Sequence, residues 1–321
     1  MSTVSTNALK PDLMDAIARL RENIMSVFYG NPAAVERVIR CLLARGHVLI
    51  EDVPGVGKTV LATAMAKSIN CRFTRIQLTP DMLPSDVLGV SVYNSQTGEF
   101  VFKKGPIFSN IILADEINRT TPRTQTALLE AMNEATVSID GSSFTLEQPF
   151  MVIATQNPYE YEGTYLLPEN QLDRFLMRTR LGYPSPEVEA KVLERRPADS
   201  ALPGLEPVMS RDVVIELQRH VDEVRVDASL LDYVISLAAA TRSHDELLVG
   251  LSPRGSLALT HSARATAVLD GRDYAIPEDI LHNILPVCAH RIITRSYSHS
   301  GNNEAAAGIL SSIVDSLKSP A

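Results

Sequence analysis

The sequence predicts an α/β protein: a parallel sheet buried on both faces, carrying two inserted β-hairpins and followed by a small all-helical domain. Three observations carry this. Short apolar runs alternate with helical segments as far as Pro184, and the helical segment opening at Lys58 follows one of those runs after a loop. Beyond Gly182-Tyr183-Pro184-Ser185-Pro186 the strand signals stop, and helices separated by Pro/Gly turns remain. The expected division is a core over residues 1–184 and a helical domain over 185–321, with residues 1–10 small, polar and frayed.

Taken in order, Leu13, Ile17, Leu20, Ile24 and Phe28 recur at helical spacing, and Gly30 stops that helix. Asn31 reads as a cap and Pro32 as the first-turn proline of a second helix, 33–44, that ends at Gly46. The apolar runs then fall at 47–50, 73–78, 111–114, 150–154 and 176–181, with a helix from Lys58 to Ser68 after the first. Two segments break the alternation. Residues 91–93 with 99–102 flank a turn at 94–98, and residues 136–139 with 144–146 flank Asp140-Gly141. Both read as β-hairpins, with ordinary surface loops as the alternative.

A chain of 321 residues with 45% hydrophobic side chains can bury a core for one large or two moderate domains. Cys41, Cys71 and Cys288 are odd in number, far apart and free of any C-x-x-C pairing, which argues for small buried hydrophobes over disulfides or zinc. No H-E-x-x-H occurs, so a transition-metal site built of side chains is not expected. The net charge of -8 counts against nucleic acid as a partner. The first thirty residues carry no signal-like apolar run, and no window approaches the roughly 20 apolar residues of a membrane span, so the expected location is cytoplasmic.

The stretch Glu51-Asp52-Val53-Pro54-Gly55-Val56-Gly57-Lys58-Thr59 nearly matches G-x-x-x-x-G-K-[ST], with Asp52 in place of the first Gly. Between an apolar run and a helix, such a loop points its backbone N–H groups at phosphate, helped by the positive end of the helix dipole. Gly55, Val56, Gly57, Lys58, Thr59 and Val60 are the expected nucleotide-binding residues, Lys58 reaching the β- and γ-phosphates and Thr59 a Mg²⁺ ion. A carboxylate facing a triphosphate would repel it. Asp52 is therefore expected to point away, Asp being one of the few residues that tolerate left-handed or turn backbone.

Asp115 and Glu116 follow the run 111–114, at the carboxyl end of a buried strand where open α/β sheets bind ligands. Asp115 would hold the Mg²⁺ shell and Glu116 polarise water; without the loop upstream, the pair reads equally well as loop charges. Asn157 ends the next run and could contact the γ-phosphate, or be a turn asparagine before Pro158. Arg174 could neutralise transition-state charge, or form a surface pair with Asp173 or Glu169. In Leu251-Ser252-Pro253-Arg254 the serine caps a helix and the proline fills its first position, which leaves Arg254 opposing the dipole unless an anion meets it.

VPGVGKT, ILADEINRTTPRTQTALLEAM, ATQNP, LPENQLDRF and LSPRGSLAL, in this order, resemble the MoxR family of AAA+ ATPases, over the span from Gly30 to Arg291. The resemblance implies a P-loop core with a five-stranded sheet, a helical lid, and a ring of usually six subunits with ATP between them. It implies that Gly55 to Thr59 form Walker A, Asp115 and Glu116 Walker B, and Asn157 sensor 1. Arg174 would be the arginine finger, with Arg178 a weaker candidate, and Arg254 sensor 2. It also implies that the hairpins are a helix-2 insertion and a pre-sensor hairpin. Gly255 stands where the family often has Ala, at a cost of up to ~1 kcal/mol to the helix start. The activity implied is Mg²⁺-dependent ATP hydrolysis that remodels or matures partner complexes, sometimes for metal insertion, often with a von Willebrand factor A domain protein. A nucleic-acid motor, a chelatase ATPase subunit and a non-hydrolysing switch are the alternatives.

Overall fold

The computed structural model describes residues 9–158, 163–295 and 302–318. The fraying expected over residues 1–10 falls, for residues 1–8, outside the described residues.

Five parallel strands form the central sheet, in the order Met177–Thr179, Val48–Glu51, Met151–Gln156, Ile111–Asp115, Phe73–Gln77. Every residue of the three inner strands is buried. That is why they read as unbroken apolar runs: each strand feeds side chains alternately to two covered faces. Val48, Ile50, Ile111 and Leu113 pack with the helices Pro11–Val27, Pro32–Leu43 and Lys58–Ser68. Leu49, Ile112, Ala114, Val152 and Ala154 face the other way, onto Leu128, Leu129 and Met132 of the helix Pro122–Glu134.

The first helix buries Leu13, Ile17, Leu20 and Ile24 on one stripe, and the Asn31 side chain accepts the Ala33 N–H at 3.0 Å to start the second. These two helices also complete the C-terminal half. Buried side chains of Arg211–Glu223, Ala228–Ser243, Pro253–Leu269 and Pro277–Cys288 form one continuous cluster with them. Two short strand pairs accompany the C-terminal helices: Met209–Ser210 joins Ile69–Asn70, and Leu247–Val249 joins Ile293–Thr294. Strands of two or three residues are too short to display an alternating pattern, so the sequence does not announce them.

Both hairpins form. Gly89–Asn94 pairs with Glu99–Lys104, and Thr136–Ile139 with Ser142–Thr145. The second returning strand starts two residues earlier than expected, because Asp140 (φ 51°) and Gly141 (φ 77°) close a two-residue turn with both central residues left-handed. The hairpins touch each other through Phe102 and Phe144, whose rings stack at 4.5 Å between centroids.

Cys41 and Cys288 are buried as expected, whereas Cys71 is only partly so. Burial pushes the Cys288 thiol up to about 12 and that of Cys71 to about 11. None of the three is poised as a thiolate.

His47 is the buried polar group at the start of the first core strand. Its Nδ1 accepts the Val152 N–H at 3.0 Å, so Nε2 carries the proton and donates to the Met132 carbonyl at 2.9 Å. Burial lowers its pKa to about 4. Protonation is thus disfavoured in the folded state, and the stabilisation is fully present above the unfolded value near 6.5 and lost as pH falls toward 4. The loss is about 3 kcal/mol at most. Urea midpoints are expected to fall between pH 6.5 and 4, and less steeply in His47→Gln; an identical slope in both would show that His47 is not the titrating group.

Candidate functional site

The loop from Asp52 to Gly57 joins the strand Val48–Glu51 to the helix Lys58–Ser68. Gly55 and Gly57 sit at φ 87° and 93°, a region that side chains with a Cβ rarely adopt. Nothing lies within 4 Å of where a Gly55 Cβ would project, so its glycine is needed for backbone conformation and not for space. No side chain caps the helix, and its first-turn N–H donors face the loop mouth as an anion cradle. Lys58 Nζ lies 2.6 Å from the Asp52 carbonyl and 3.4 Å from that of Gln156. Burial lowers its pKa, opposed by Asp52, Asp115, Glu116 and Glu51, which together surround it with negative charge.

Asp52 turns away from the loop mouth, as expected, for a reason the sequence did not disclose. Its carboxylate accepts N–H groups from Val53 at 2.9 Å, Leu181 at 2.8 Å and Gly182 at 2.7 Å. Asp52 is absent from the residues with positive φ, so backbone tolerance does not account for it.

The strand register brings four strand ends to the same edge of the sheet: Gln77 pairs with Asp115, and Glu51 with Gln156. Asp115 is buried, and its carboxylate accepts the Thr155 hydroxyl on one oxygen and Arg75 Nη2 at 2.6 Å on the other. Glu116 adopts φ 58°, with its N–H on Thr155 Oγ1 at 2.9 Å. Its carboxylate meets Gln77 Nε2 at 2.7 Å and Arg119 Nε at 3.3 Å. Asn157 comes one residue after the strand Met151–Gln156, and Asn118 Nδ2 approaches its carbonyl at 3.5 Å. Arg75, Gln77, Arg119 and Thr155 were not singled out in the sequence. Gln77, a polar residue at the carboxyl end of the strand Phe73–Gln77, was the available signal.

Beside the loop opens a cavity of about 410 Å³ lined by Val27, Phe28, Gly55, Val60, Gly182 and Pro184, among others. The Phe28 ring reaches it because Gly30 has no Cβ; one would come within 2.2 Å of the ring.

The arginines gather elsewhere. Arg174 Nη1 donates to the Leu129 carbonyl at 2.8 Å, and Arg254 donates to Asn133 one turn further along the same helix. Asp173 does not pair with Arg174. Its oxygens lie 2.8 Å from Arg291 Nε and 3.7 Å from Arg254 Nη1. Buried Arg291 also donates to the carbonyls of Phe175 at 2.7 Å and Leu176 at 3.1 Å, which fixes the segment that presents Arg174. Arg178 lies inside the edge strand in an ion pair with Glu51, both largely buried. The structure thus sets Arg174 and Arg254 side by side and separates Arg178 from them.

Residues 47–177 match the family model "ATPase family associated with various cellular activities (AAA)", and residues 239–311 match the AAA lid domain. The uncharacterized protein YeaC of Bacillus subtilis is 48% identical over 98% of both chains. Chaperone MoxR1 of Mycobacterium tuberculosis is 41% identical over 84% of this chain and 74% of its own. The chain belongs to the MoxR family of AAA+ ATPases. A crystal structure of a candidate ATPase from Cytophaga hutchinsonii superposes with a TM-score of 0.86 at 36% identity, covering 96% of each chain.

Within the MoxR pattern, the two departures noted in the sequence now have local explanations. Asp52 is held by backbone amides. Gly255 is buried in the first turn of Pro253–Leu269, where a Cβ would come 2.4 Å from Leu251 Cδ1 and 3.2 Å from Arg291 Cδ. Close packing favours the glycine there, which accounts for it beyond the weakened helix start noted in the sequence. Ser252 caps that helix by accepting the Gly255 N–H at 3.1 Å, with Pro253 at its first position.

Proposed function

We propose that this MoxR chain hydrolyses ATP with Mg²⁺ and uses the cycle to remodel or activate a partner protein complex, as a ring of copies, six in the family's usual form. The observation that supports this best is one connected group. Lys58 at the helix start touches the carbonyl of Gln156, whose neighbour Thr155 bonds both Asp115 and the Glu116 N–H. Phosphate-binding and acid groups thereby share one strand edge.

In this reading Gly55 to Val60 bind the phosphates, and Thr59 and Asp115 would hold Mg²⁺, whose charge would help neutralise the phosphate oxygens. Among the described residues no group of three or more His, Cys, Asp or Glu could hold a metal. One hydroxyl and one carboxylate, completed by phosphates and water, suit Mg²⁺. Arg75 must then release Asp115. Glu116 takes the proton of the attacking water, Gln77 and Arg119 hold its carboxylate, and Asn157 orients the γ-phosphate side. Arg174 and Arg254, both hydrogen-bonded to the helix Pro122–Glu134, serve the nucleotide of a neighbouring subunit.

A division near Pro184 separates this core from the lid. Tyr93 and Phe100 stand 56% and 74% exposed on the first hairpin and offer apolar surface to a client. A von Willebrand factor A domain protein is the expected collaborator, as the family resemblance implies, with metal insertion one possible outcome of the remodelling.

The test is ATP binding, with phosphate release in the presence of Mg²⁺ measured in parallel, for the wild type and for Lys58→Ala. The variant is expected to bind ATP about ten- to a hundredfold more weakly, the loss of a charge-assisted contact. Equal binding by both proteins would remove the loop from the nucleotide site.

A further inference from the structure

We propose that Asp52 is a positioning residue that couples occupation of the phosphate loop to the segment leading from the core sheet to the C-terminal helices. The inference rests on the ATPase reading for the occupant of the loop and goes beyond it in assigning a role to the one residue that departs from the strict loop pattern.

The side chain and the main chain of Asp52 do two different things. The carboxylate accepts the Leu181 and Gly182 amides at 2.8 and 2.7 Å, just after the edge strand Met177–Thr179 ends. Hydrogen bonds to an ionised acceptor are about twice as strong as neutral ones. The segment held is not incidental: Gly182, at φ 71°, and Pro184 line the cavity that Gly55 and Gly57 also line. Meanwhile the Asp52 carbonyl accepts Lys58 Nζ at 2.6 Å.

Phosphate competes for that ammonium group. When Lys58 turns to a phosphate, the Asp52 carbonyl gives up its cationic partner, and the residue that clasps the cavity wall is the one that registers the change. A glycine at position 52 would keep the carbonyl and the loop but leave the Leu181 and Gly182 amides without their acceptor. Asparagine would keep an acceptor oxygen without the charge.

Hydrogen exchange of the full-length protein over residues 181–183 tests this, in the wild type, Asp52→Gly and Asp52→Asn, each with and without a non-hydrolysable ATP analogue and Mg²⁺. Without nucleotide, Asp52→Gly is expected to raise exchange at Leu181 and Gly182 about tenfold, with Asp52→Asn in between. Adding the analogue should shift exchange there in the wild type and not in Asp52→Gly. In steady-state kinetics kcat should fall in Asp52→Gly while the affinity for ATP stays within about threefold, a fraction of a contact's worth.

Unchanged exchange without nucleotide would show that there is no clasp. Raised exchange with an unaltered response to the analogue and an unaltered kcat would reduce the clasp to a structural bond and overturn the coupling. Absence of nucleotide binding by the wild type would sink the ATPase reading, and the coupling with it. The nucleotide-free exchange would still decide whether the clasp exists.

Discussion

Arg174→Ala is expected to lower ATP turnover by about 10³ to 10⁵, the effect of removing an arginine that neutralises charge in phosphoryl transfer. ATP binding to the same chain should persist, because Arg174 is bonded to the Leu129 carbonyl, whereas Lys58 is bonded to the Asp52 carbonyl in the loop. A purely structural role predicts something different. Losing one hydrogen bond to the Leu129 carbonyl costs about 1 kcal/mol of stability and would reduce rate only in step with unfolding. Turnover and thermal midpoint measured on the same samples separate the two. Arg174→Lys discriminates further: it keeps the charge and loses the planar donor geometry, so it should recover stability more fully than rate. A variant whose rate stays near wild type would remove Arg174 from the reaction.

Glu116→Gln is expected to cut turnover by about 10² to 10⁴ with ATP still bound, since general-base assistance contributes about that much. Glutamine is nearly isosteric and can still accept from Gln77 Nε2, now 2.7 Å from the carboxylate, so the site should remain assembled. The resulting state, loaded but unable to fire, should hold rings and partner proteins together long enough to be isolated. Nucleotide binding read by fluorescence and phosphate release read in parallel give the outcome. Full activity in Glu116→Gln would mean that another group receives the proton.

The elements of this fold were legible where physics is local. Inner strands buried on both faces show as unbroken apolar runs, glycine at φ 87° and 93° marks the loop, and Asn31 and Ser252 announce their helices. What stayed hidden depends on pairs far apart in the chain. Asp52 finds its acceptor role only once Leu181 and Gly182 fold beside it, 129 and 130 positions later. Arg254 meets Asn133 across 121 positions, and nothing in LSPRGSLAL alone places it beside Arg174. Thr155 looked like one more residue of a strand end, yet it bonds both acids of the site. Arg178 was ambiguous because an arginine inside a strand and an interface arginine look alike until Glu51 is seen to pair with it. Gly255 read as a weak helix start, whereas Leu251 and Arg291 leave no room for a side chain.

The most direct test of a nucleotide site shared between subunits is to mix two inactive proteins. Lys58→Ala lacks the loop's ammonium group and binds the nucleotide weakly but retains Arg174; Arg174→Ala retains the loop and lacks the arginine. In a randomly mixed ring about a quarter of the interfaces pair an intact loop with an intact arginine, since each must come from the right one of two equally common subunits. Turnover of an equimolar mixture is therefore expected to rise far above that of either variant alone, toward that fraction of wild type. A mixture no more active than the sum of its parts, in rings shown to exchange subunits, would place Arg174 on its own chain's nucleotide or outside the reaction and contradict the shared site.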